Sequence, residues 1–290
     1  MGDKERLVWL DALKGIGILS IMRVHILGPK DFLQSILYVG AVAMFFIAAG
    51  FNFKIPQDTR AAIHNKFMRL LVPYFFYSLV LLIIEHRLNY NTLIQFFGVF
   101  YGRMSLFRDN LNGNTLFLLI GNAPMWFLPC MFLSYLWIYL VYCRCKTSLQ
   151  HYLVCLLFIF LSAVLYFSPL MLPWSLDTSF LFAVLIIVGY EWRGYFKKSK
   201  LFIVAITLAL WVVLYHFFAG SNISIGIYGN YGVYSIIPFV AIAICETYAL
   251  CGVLQMIDNT WFVKVFAYMG KHSLRLMCIH LVVCMKLYQY

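Results

Sequence analysis

The sequence predicts an all-α protein, a polytopic transmembrane helix bundle, and three observations support this prediction. Apolar and aromatic residues make up 63% of the 290 positions, whereas charged residues make up only 11%; soluble domains usually carry about 25% charged residues. Apolar runs of about 17 to 25 residues recur along the chain, and a helix of that length crosses a bilayer. Lys and Arg residues cluster between these runs. We therefore expect a single membrane-embedded domain, residues 1–290.

The apolar runs define nine candidate spans. These are residues 8–27, 34–53, 67–84, 123–143, 151–168, 177–192, 201–219, 232–254 and 272–288. The stretch from about 90 to 122 mixes an apolar segment with charged residues and a run of Asn and Gly. We interpret it as a loop or a re-entrant element, so the sequence predicts about nine to ten spans in all.

The distribution of basic residues predicts a cytoplasmic N-terminus. Of the 22 Lys and Arg residues, fifteen lie in segments that would then face the cytoplasm, five lie in the opposite segments, and Lys14 and Arg23 lie within the first span. Cytoplasmic loops are enriched in Lys and Arg. The same clusters account for the net charge of +11, so no nucleic-acid partner is expected. The first apolar run contains Asp11 and Lys14 and lacks a small-residue cleavage site, so it is expected to remain as a span.

The cysteines do not form a metal-binding pattern. Most of the eight fall inside apolar runs, and the sequence has neither a CxxC pair nor a His spacing suited to zinc. We expect them to be buried small apolar residues, with no metal ion and no permanently bound cofactor.

The first predicted span carries three ionisable side chains, Asp11, Lys14 and His25, in the hydrocarbon or at its edges. Such groups are costly there, so each is a candidate for function. At about 100° per residue they share one helix face, but His25 lies about 16 Å along the axis from Lys14 and about 21 Å from Asp11. This spacing predicts a polar passage with an imidazole, suited to take a proton from a hydroxyl, near its outer end. The alternative is a structural Asp11–Lys14 pair with His25 as an interfacial anchor.

Two further features point to polar contacts inside or outside the bilayer. Glu246 lies in the eighth span without a basic neighbour in sequence, so it should be protonated or pair with His280, Lys14 or Arg23. The predicted outer loop at 220–231 is uncharged and rich in Gly, Asn and Tyr. It suits contact with a neutral polar ligand such as a sugar, or it is an ordinary turn-rich loop.

Five stretches, in order along the chain, resemble the motifs of one family. They are WLDALKGIGILSIMRVH at 9–25, FFIAAGF at 45–51, KFMRLLVPYFFYS at 66–78, APMWFLPCMF at 123–132 and YMGKHSLRLMCIH at 268–280. Together they are similar to the acyltransferase type 3 membrane proteins, in particular the branch similar to fucose 4-O-acetylase. One departure is that Arg23 and Val24 precede His25, where the family usually has a small residue before the His.

The resemblance implies an integral membrane O-acyltransferase. Members of the family move an acyl group, usually acetyl, from cytoplasmic acyl-CoA to a sugar hydroxyl at or beyond the outer face of the membrane. The expected partners are acyl-CoA as the donor substrate, a carbohydrate or lipid-linked glycan as the acceptor, and the lipid bilayer. The resemblance leaves open whether the protein forms a homo-oligomer. The expected location is a bacterial inner membrane, as a multi-pass cell-membrane protein.

The same resemblance implies a division of roles among the candidate residues. His25 is the catalytic imidazole, and the CoA end of the donor is expected near Asp11, Lys14, Lys66 and Arg69. Cationic groups at the cytoplasmic start of the third span can hold phosphates. Lys66 and Arg69 serve equally well as determinants of topology.

Five residues are expected on the acceptor side or along the cavity: Asn52, Trp126, Glu246, Ser273 and His280. Trp126, at the outer start of a span, is placed to stack on a sugar ring or on the thiol arm of CoA, or to act as an interfacial aromatic. His280 would line the same cavity, or would donate a hydrogen bond to a neighbouring helix.

Two other classes of function remain open. A transporter or flippase for a polar solute is the main alternative, because Asp11, Glu246 and His280 can bind ions or protons. Transporters often contain two homologous halves, and no internal symmetry is visible here, which disfavours that class. A scaffold that uses its polar residues only to hold helices together would leave the five ordered motif matches unexplained.

Overall fold

The structure, a computed structural model, describes residues 7–28, 32–84, 90–103, 105–107, 123–224, 227–228 and 230–287. These ranges are predominantly helical, with one short hairpin of β1 (Ile223–Ser224) and β2 (Ile227–Tyr228). The helices are α1 (Val8–Leu27), α2 (Phe32–Val39), α3 (Ala41–Phe51), α4 (Thr59–Lys66), α5 (Val72–Ile84), α6 (Tyr90–Tyr101), α7 (Phe127–Arg144), α8 (Ser148–Tyr166), α9 (Leu176–Glu191), α10 (Arg193–Lys197), α11 (Leu201–Phe218), α12 (Ile236–Met256), α13 (Trp261–Lys271) and α14 (Ser273–Leu287).

The all-α, multi-pass character is confirmed. Six helical segments of the described chain are long and apolar enough to cross a membrane: Thr59–Ile83, Pro124–Arg144, Ser148–Tyr166, Pro173–Glu191, Leu201–Ser221 and Gly232–Met256. In addition, α1 begins and ends at the residues predicted for the first span. The total of nine to ten spans and the cytoplasmic N-terminus stay predictions. Within the stretch 90–122, the structure forms α6, and residues 108–122 lie outside the described residues.

The second predicted span, residues 34–53, is not a single helix, because the chain breaks at Gly40 between α2 and α3. The side chain of Glu246, from α12, lies against this break. A Cβ atom on Gly40 would overlap the Glu246 Oε2 atom. The carboxyl group therefore lies at the N-terminal end of α3, where unpaired N–H groups and the helix dipole favour a negative charge. This contact joins distant segments of the chain, and an apolar pattern does not reveal it.

The third predicted span, residues 67–84, begins eight residues earlier than expected, at Thr59. The Asp58 carboxylate starts this longer helix by accepting two backbone N–H groups of its first turn. The helix widens into a π turn at Phe67–Leu71 before it continues as α5. Pro73 follows directly, and because proline has no N–H it cannot bond to the carbonyl of Arg69 in the regular α-helical pattern.

Helix α1 lies at the centre of the bundle and packs against α2, α3, α12, α13 and α14. Its approach to α13 is close because glycines face backbone atoms of the other helix. A Cβ on Gly15 would overlap the carbonyl of Phe266, and a Cβ on Gly270 would overlap the carbonyl of Asp11. Small residues of this kind let membrane helices pack backbone to backbone.

Helix α9 forms a second packing centre, since α3, α7 and α8 all contact it. The helices α8 and α11 lie at the periphery and expose rows of large apolar side chains, such as Leu156 and Phe160 on α8 and Leu208 on α11. In water such rows would be unfavourable, whereas lipid accommodates them. The arrangement places α1, α3, α7 and α14 around the interior.

A buried ion pair joins α6 to the start of α9. The guanidinium of Arg103 pairs with the carboxylate of Asp177, and its Nε donates to the carbonyl of Leu172 at 2.9 Å. The turn before α9 is tight: Trp174 has φ of 56°, and its indole nitrogen donates to the carbonyl of Phe100 at 2.7 Å. These contacts fix the described end of α6 against the bundle.

Candidate active site

Five helical segments enclose a cavity of about 270 Å³. Four of them contribute several residues that lie on one helix face, and α1 contributes one residue. The residues are Lys14 of α1; Phe45, Ala48 and Ala49 of α3 with Asn52 after it; Lys66, Arg69 and Leu70 at the π turn; Phe127, Met131 and Tyr135 of α7; and Ser273, Leu274 and Met277 of α14. The structure therefore brings the first and last described helices to one site. We name this space the first cavity.

The first cavity contains five of the ten residues predicted for the site. They are Lys14, Asn52, Lys66, Arg69 and Ser273. The ammonium of Lys66 lies 3.6 Å from the centre of the Tyr135 ring. A cation held over an aromatic face is stabilised and keeps its position. The first cavity is thus lined by three cationic side chains, Lys14 from α1 and the neighbouring Lys66 and Arg69 from the segment before α5.

Asp11 and Lys14 form an ion pair, with 2.5 Å between Oδ1 and Nζ. This ion pair, which the alternative interpretation of the first span expected, is present, and it neutralises part of the charge on α1. Lys14 and Asn52 also line a second cavity of about 710 Å³, so the two cavities adjoin. The second cavity is further lined by Asp11, Lys54, Arg193, Lys197, Leu7, Leu10, Phe51 and Phe53.

His25 and His280 lie beside each other, with ring centres 5.3 Å apart and ring planes inclined by 45°. His25 occupies the last turn of α1 and is half-buried, whereas His280 on α14 is only 1% exposed. The Nδ1 atom of His280 lies 2.8 Å from the carbonyl oxygen of Met277. The two histidines, which the sequence placed in separate spans, therefore form one pair.

Met277 links the first cavity to the histidine pair. Its side chain lines the cavity, and its carbonyl contacts His280 one turn further along α14. His25 and His280 are not among the described residues that line either cavity. The cavity is thus lined both by the cationic side chains and by the turn of α14 just before His280. The separation of about 16 Å between Lys14 and His25 along α1 still applies, so a ligand that contacts both must be elongated.

Two predicted candidates lie away from the cavities. Glu246 is fully buried against Gly40, and among the described residues no basic side chain pairs with it. The expected pairing with His280, Lys14 or Arg23 is therefore not found. Trp126 is 4% exposed and its ring packs against that of Phe182.

The packing of Trp126 corrects its expected position at an interface, because the side chain lies in the protein core. Its proposed role in stacking on a sugar ring or a thiol arm gains no support from this packing. The pattern APMWFLPCMF contains no sign of this burial, since the neighbour Phe182 comes from α9.

Several residues of the site were not recognised from the sequence. Lys54, Arg193 and Lys197 line the second cavity but were assigned only to topology. Tyr135 lay inside an apolar run, although its spacing of four and eight positions from Met131 and Phe127 places all three on one face of α7. This four-residue spacing was the feature of the sequence from which Tyr135 could have been assigned to the site.

The arrangement suits an elongated ligand with an anionic end. Cationic groups at one end can hold phosphate groups, and the apolar side chains of Phe45, Phe127 and Met131 accommodate an uncharged arm. The paired imidazoles lie next to Met277, which lines this cavity, and an imidazole is suited to proton transfer or to covalent catalysis at a reacting carbonyl.

One comparison with known proteins supplies the family. The family model described as an acyltransferase domain matches residues 7–290. No curated protein and no solved structure gives a significant match to the chain. Since the family model covers almost the whole length, including α1, α14 and both cavities, the chain belongs to the acyltransferase type 3 family and is a membrane acyltransferase.

Proposed function

We propose that this acyltransferase is an O-acetyltransferase that moves acetyl from cytoplasmic acetyl-CoA to a hydroxyl of a surface carbohydrate, such as a polysaccharide, an O-antigen or a related lipid-linked glycan. The observation that carries the proposal is the first cavity, which is lined by three cationic side chains and by Met277, whose carbonyl contacts one of the paired imidazoles. The branch of the family similar to fucose 4-O-acetylase is part of the same proposal.

The cationic residues support a CoA donor. The phosphate groups of CoA carry several negative charges at one end of an extended arm, and the acyl thioester lies at the other end. Lys14, Lys66 and Arg69 line the first cavity, and Lys54, Arg193 and Lys197 line the adjoining one together with Lys14. Charge-assisted hydrogen bonds to phosphate are stronger than neutral ones, so this cluster favours binding of the phosphate end.

The position of His25 supports a role in the transfer itself. It is half-buried on α1 and lies against His280 on α14, which places its ring among helices of the bundle. An imidazole there either takes the proton from the acceptor hydroxyl or carries the acyl group briefly. In both cases the hydroxyl oxygen forms a bond to the carbonyl carbon, the carbon–sulfur bond breaks, and CoA leaves as the thiol.

The remaining elements of the proposal concern the membrane and the acceptor. Asn52 and Ser273 line the first cavity and offer hydrogen-bonding groups to a passing polar ligand. The basic residues of the second cavity, together with the distribution of Lys and Arg, favour a cytoplasmic N-terminus. We place the protein in the inner membrane of a bacterial cell, where the donor is made on one side and the glycan lies on the other.

Labelled acetyl-CoA tests the proposal. Membrane vesicles that contain the protein should transfer label to polysaccharide extracted from the cells that express it. His25→Ala should lower this transfer by at least about 10²-fold. His216→Ala, which changes an exposed histidine of α11, is the matched control and should transfer label normally. Undiminished transfer by a folded His25→Ala protein would reject the catalytic role, and absence of transfer by the unaltered protein would reject the function.

A further inference from the structure

The hydrogen atom on His280 can be assigned from its neighbour. Its Nδ1 atom lies 2.8 Å from the carbonyl oxygen of Met277. A carbonyl oxygen only accepts hydrogen bonds, so Nδ1 must carry the hydrogen and donate it. In the neutral ring the other nitrogen, Nε2, then has a free lone pair. The backbone of α14 therefore determines which tautomer His280 adopts.

The Nε2 atom of His280 is an acceptor in an unusual environment. It is buried, and among the described residues no hydrogen-bond partner contacts it. A buried acceptor without a partner is costly, and native proteins contain few of them. Such an atom is therefore a candidate for a functional contact that the resting arrangement does not make.

The ring of His25 is the group best placed to supply that contact. The two ring centres are 5.3 Å apart. Since an imidazole nitrogen lies about 1.1 Å from its ring centre, two facing nitrogens at this separation are about 3 Å apart, which is within hydrogen-bonding range. His280 is held at Nδ1, so the two nitrogens would be aligned by rotation of the half-buried His25 side chain.

We propose that His280 is a positioning residue for His25: its Nε2 accepts the N–H of the His25 ring, so that the other nitrogen of His25 presents its lone pair to the reacting groups. The inference rests on the proposed acyl transfer and extends it from one histidine to two. As His25 takes the proton of the acceptor hydroxyl, its ring becomes positively charged, and the hydrogen bond to the neutral His280 strengthens. The proton later passes from His25 to the sulfur of the departing CoA.

The tautomer of His280 links this arrangement to the first cavity. Met277 holds His280 through its carbonyl while its side chain lines the cavity that we assign to the donor. Donor binding and orientation of the base would then depend on the same turn of α14. His280 itself, at 1% exposure, is too deeply buried to be the group that first meets the acceptor, which is why a positioning role fits it better than a direct one.

Two substitutions at the same site separate positioning from packing. His280→Phe keeps an aromatic ring but has no acceptor, and His280→Gln places an amide oxygen near the position of Nε2. Outer-shell hydrogen-bond partners of metal-binding histidines typically contribute about 10–100-fold to activity, and we take the same range for His25. We expect His280→Phe to lower kcat by that factor with the KM for acetyl-CoA unchanged, and His280→Gln to recover at least half of the lost activity on a logarithmic scale.

A double substitution supplies the readout that a merely structural residue would not move. If His280 acts through His25, then adding His280→Phe to a His25→Ala protein removes nothing further, because residues that act as a unit are not additive. Additive losses would overturn the proposal, and so would a folded His280→Phe protein with normal kcat. His216→Asn, which replaces a histidine of α11 outside the site, is the control and should leave kcat unchanged.

Nitrogen NMR of the unaltered protein with labelled histidine keeps the proposal testable even if a variant fails to fold. The spectrum should show His280 with hydrogen on Nδ1 and none on Nε2, and the opposite tautomer would overturn the proposal. The proposed function fails separately: it is lost if the unaltered protein releases no CoA from acetyl-CoA in the presence of the extracted polysaccharide. If the unaltered protein is active and only the His280 expectations fail, His25 acts alone.

Discussion

Lys66→Met removes one positive charge from the first cavity while it keeps an unbranched apolar stem over the Tyr135 ring. The ammonium of Lys66 lies 3.6 Å from the centre of that ring, and the side chain is half-buried. Part of its hydration is therefore already lost before a ligand binds. Its contact with a phosphate group should for that reason be stronger than that of the exposed Arg69.

The magnitude follows from the strength of a hydrogen bond to a charged group, which is about 1.5–3 kcal/mol. Each 1.4 kcal/mol corresponds to about a tenfold change in affinity. Lys66→Met should therefore raise the KM for acetyl-CoA by about 10- to 100-fold, and Arg69→Met by about tenfold or less. The value of kcat should change by less than about threefold, because a phosphate far from the thioester is held equally in the ground state and the transition state.

Initial rates of CoA release at varied acetyl-CoA concentration measure both constants. Lys264→Met is the matched control, since this exposed lysine of α13 lines neither cavity. Its KM should equal that of the unaltered protein. A KM for Lys66→Met that is also unchanged would refute the assignment of the first cavity to the donor, and a fall in kcat alone would move Lys66 from binding to chemistry.

Two further predictions concern the stability of the bundle. Gly40→Ala should lower the free energy of unfolding by about 1–3 kcal/mol, because the added methyl group overlaps the Glu246 carboxyl group. Thermal unfolding in detergent measures this loss. An equal loss in a Glu246→Ala background would show that the overlap with Glu246 is not its cause. Arg103→Met should cost about 3–5 kcal/mol because it leaves the carboxylate of Asp177 buried without its partner. Adding Asp177→Asn should recover part of that loss, and unchanged unfolding of Arg103→Met would show that the pair is unimportant.

The sequence predicted the parts of the fold that depend on local pattern. The bounds of α1 followed from its apolar run, and the cavity residues Lys14, Asn52, Lys66, Arg69 and Ser273 were all candidates before the structure was known. Each of these polar groups lies in an apolar run or at its end. A polar group is energetically costly there, so it is recognised as a functional candidate from the sequence. Such residues can be found one helix at a time.

The remaining features depend on contacts between distant segments. The break at Gly40 lies against the carboxyl group of Glu246, and the buried Trp126 packs against Phe182. Neither partner can be identified from apolar periodicity, which gives the buried face of a helix but not the helix that covers it. The adjoining histidines are the same case, since only the packing of α1 on α14 brings His25 to His280.

The packing of α1 against α13 and α14 has a consequence for biogenesis. His25 and His280 are 255 positions apart in the sequence, so at about 5–20 residues per second the ribosome needs roughly 10–50 s to supply the second after the first. Until then α1, with its charged residues, lacks α14 as a neighbour, although α2 and α3 are synthesised soon after it. The Asp11–Lys14 ion pair needs only residues one turn apart, so it can form as soon as α1 is made. It then lowers the free-energy cost of holding these two charges in the membrane.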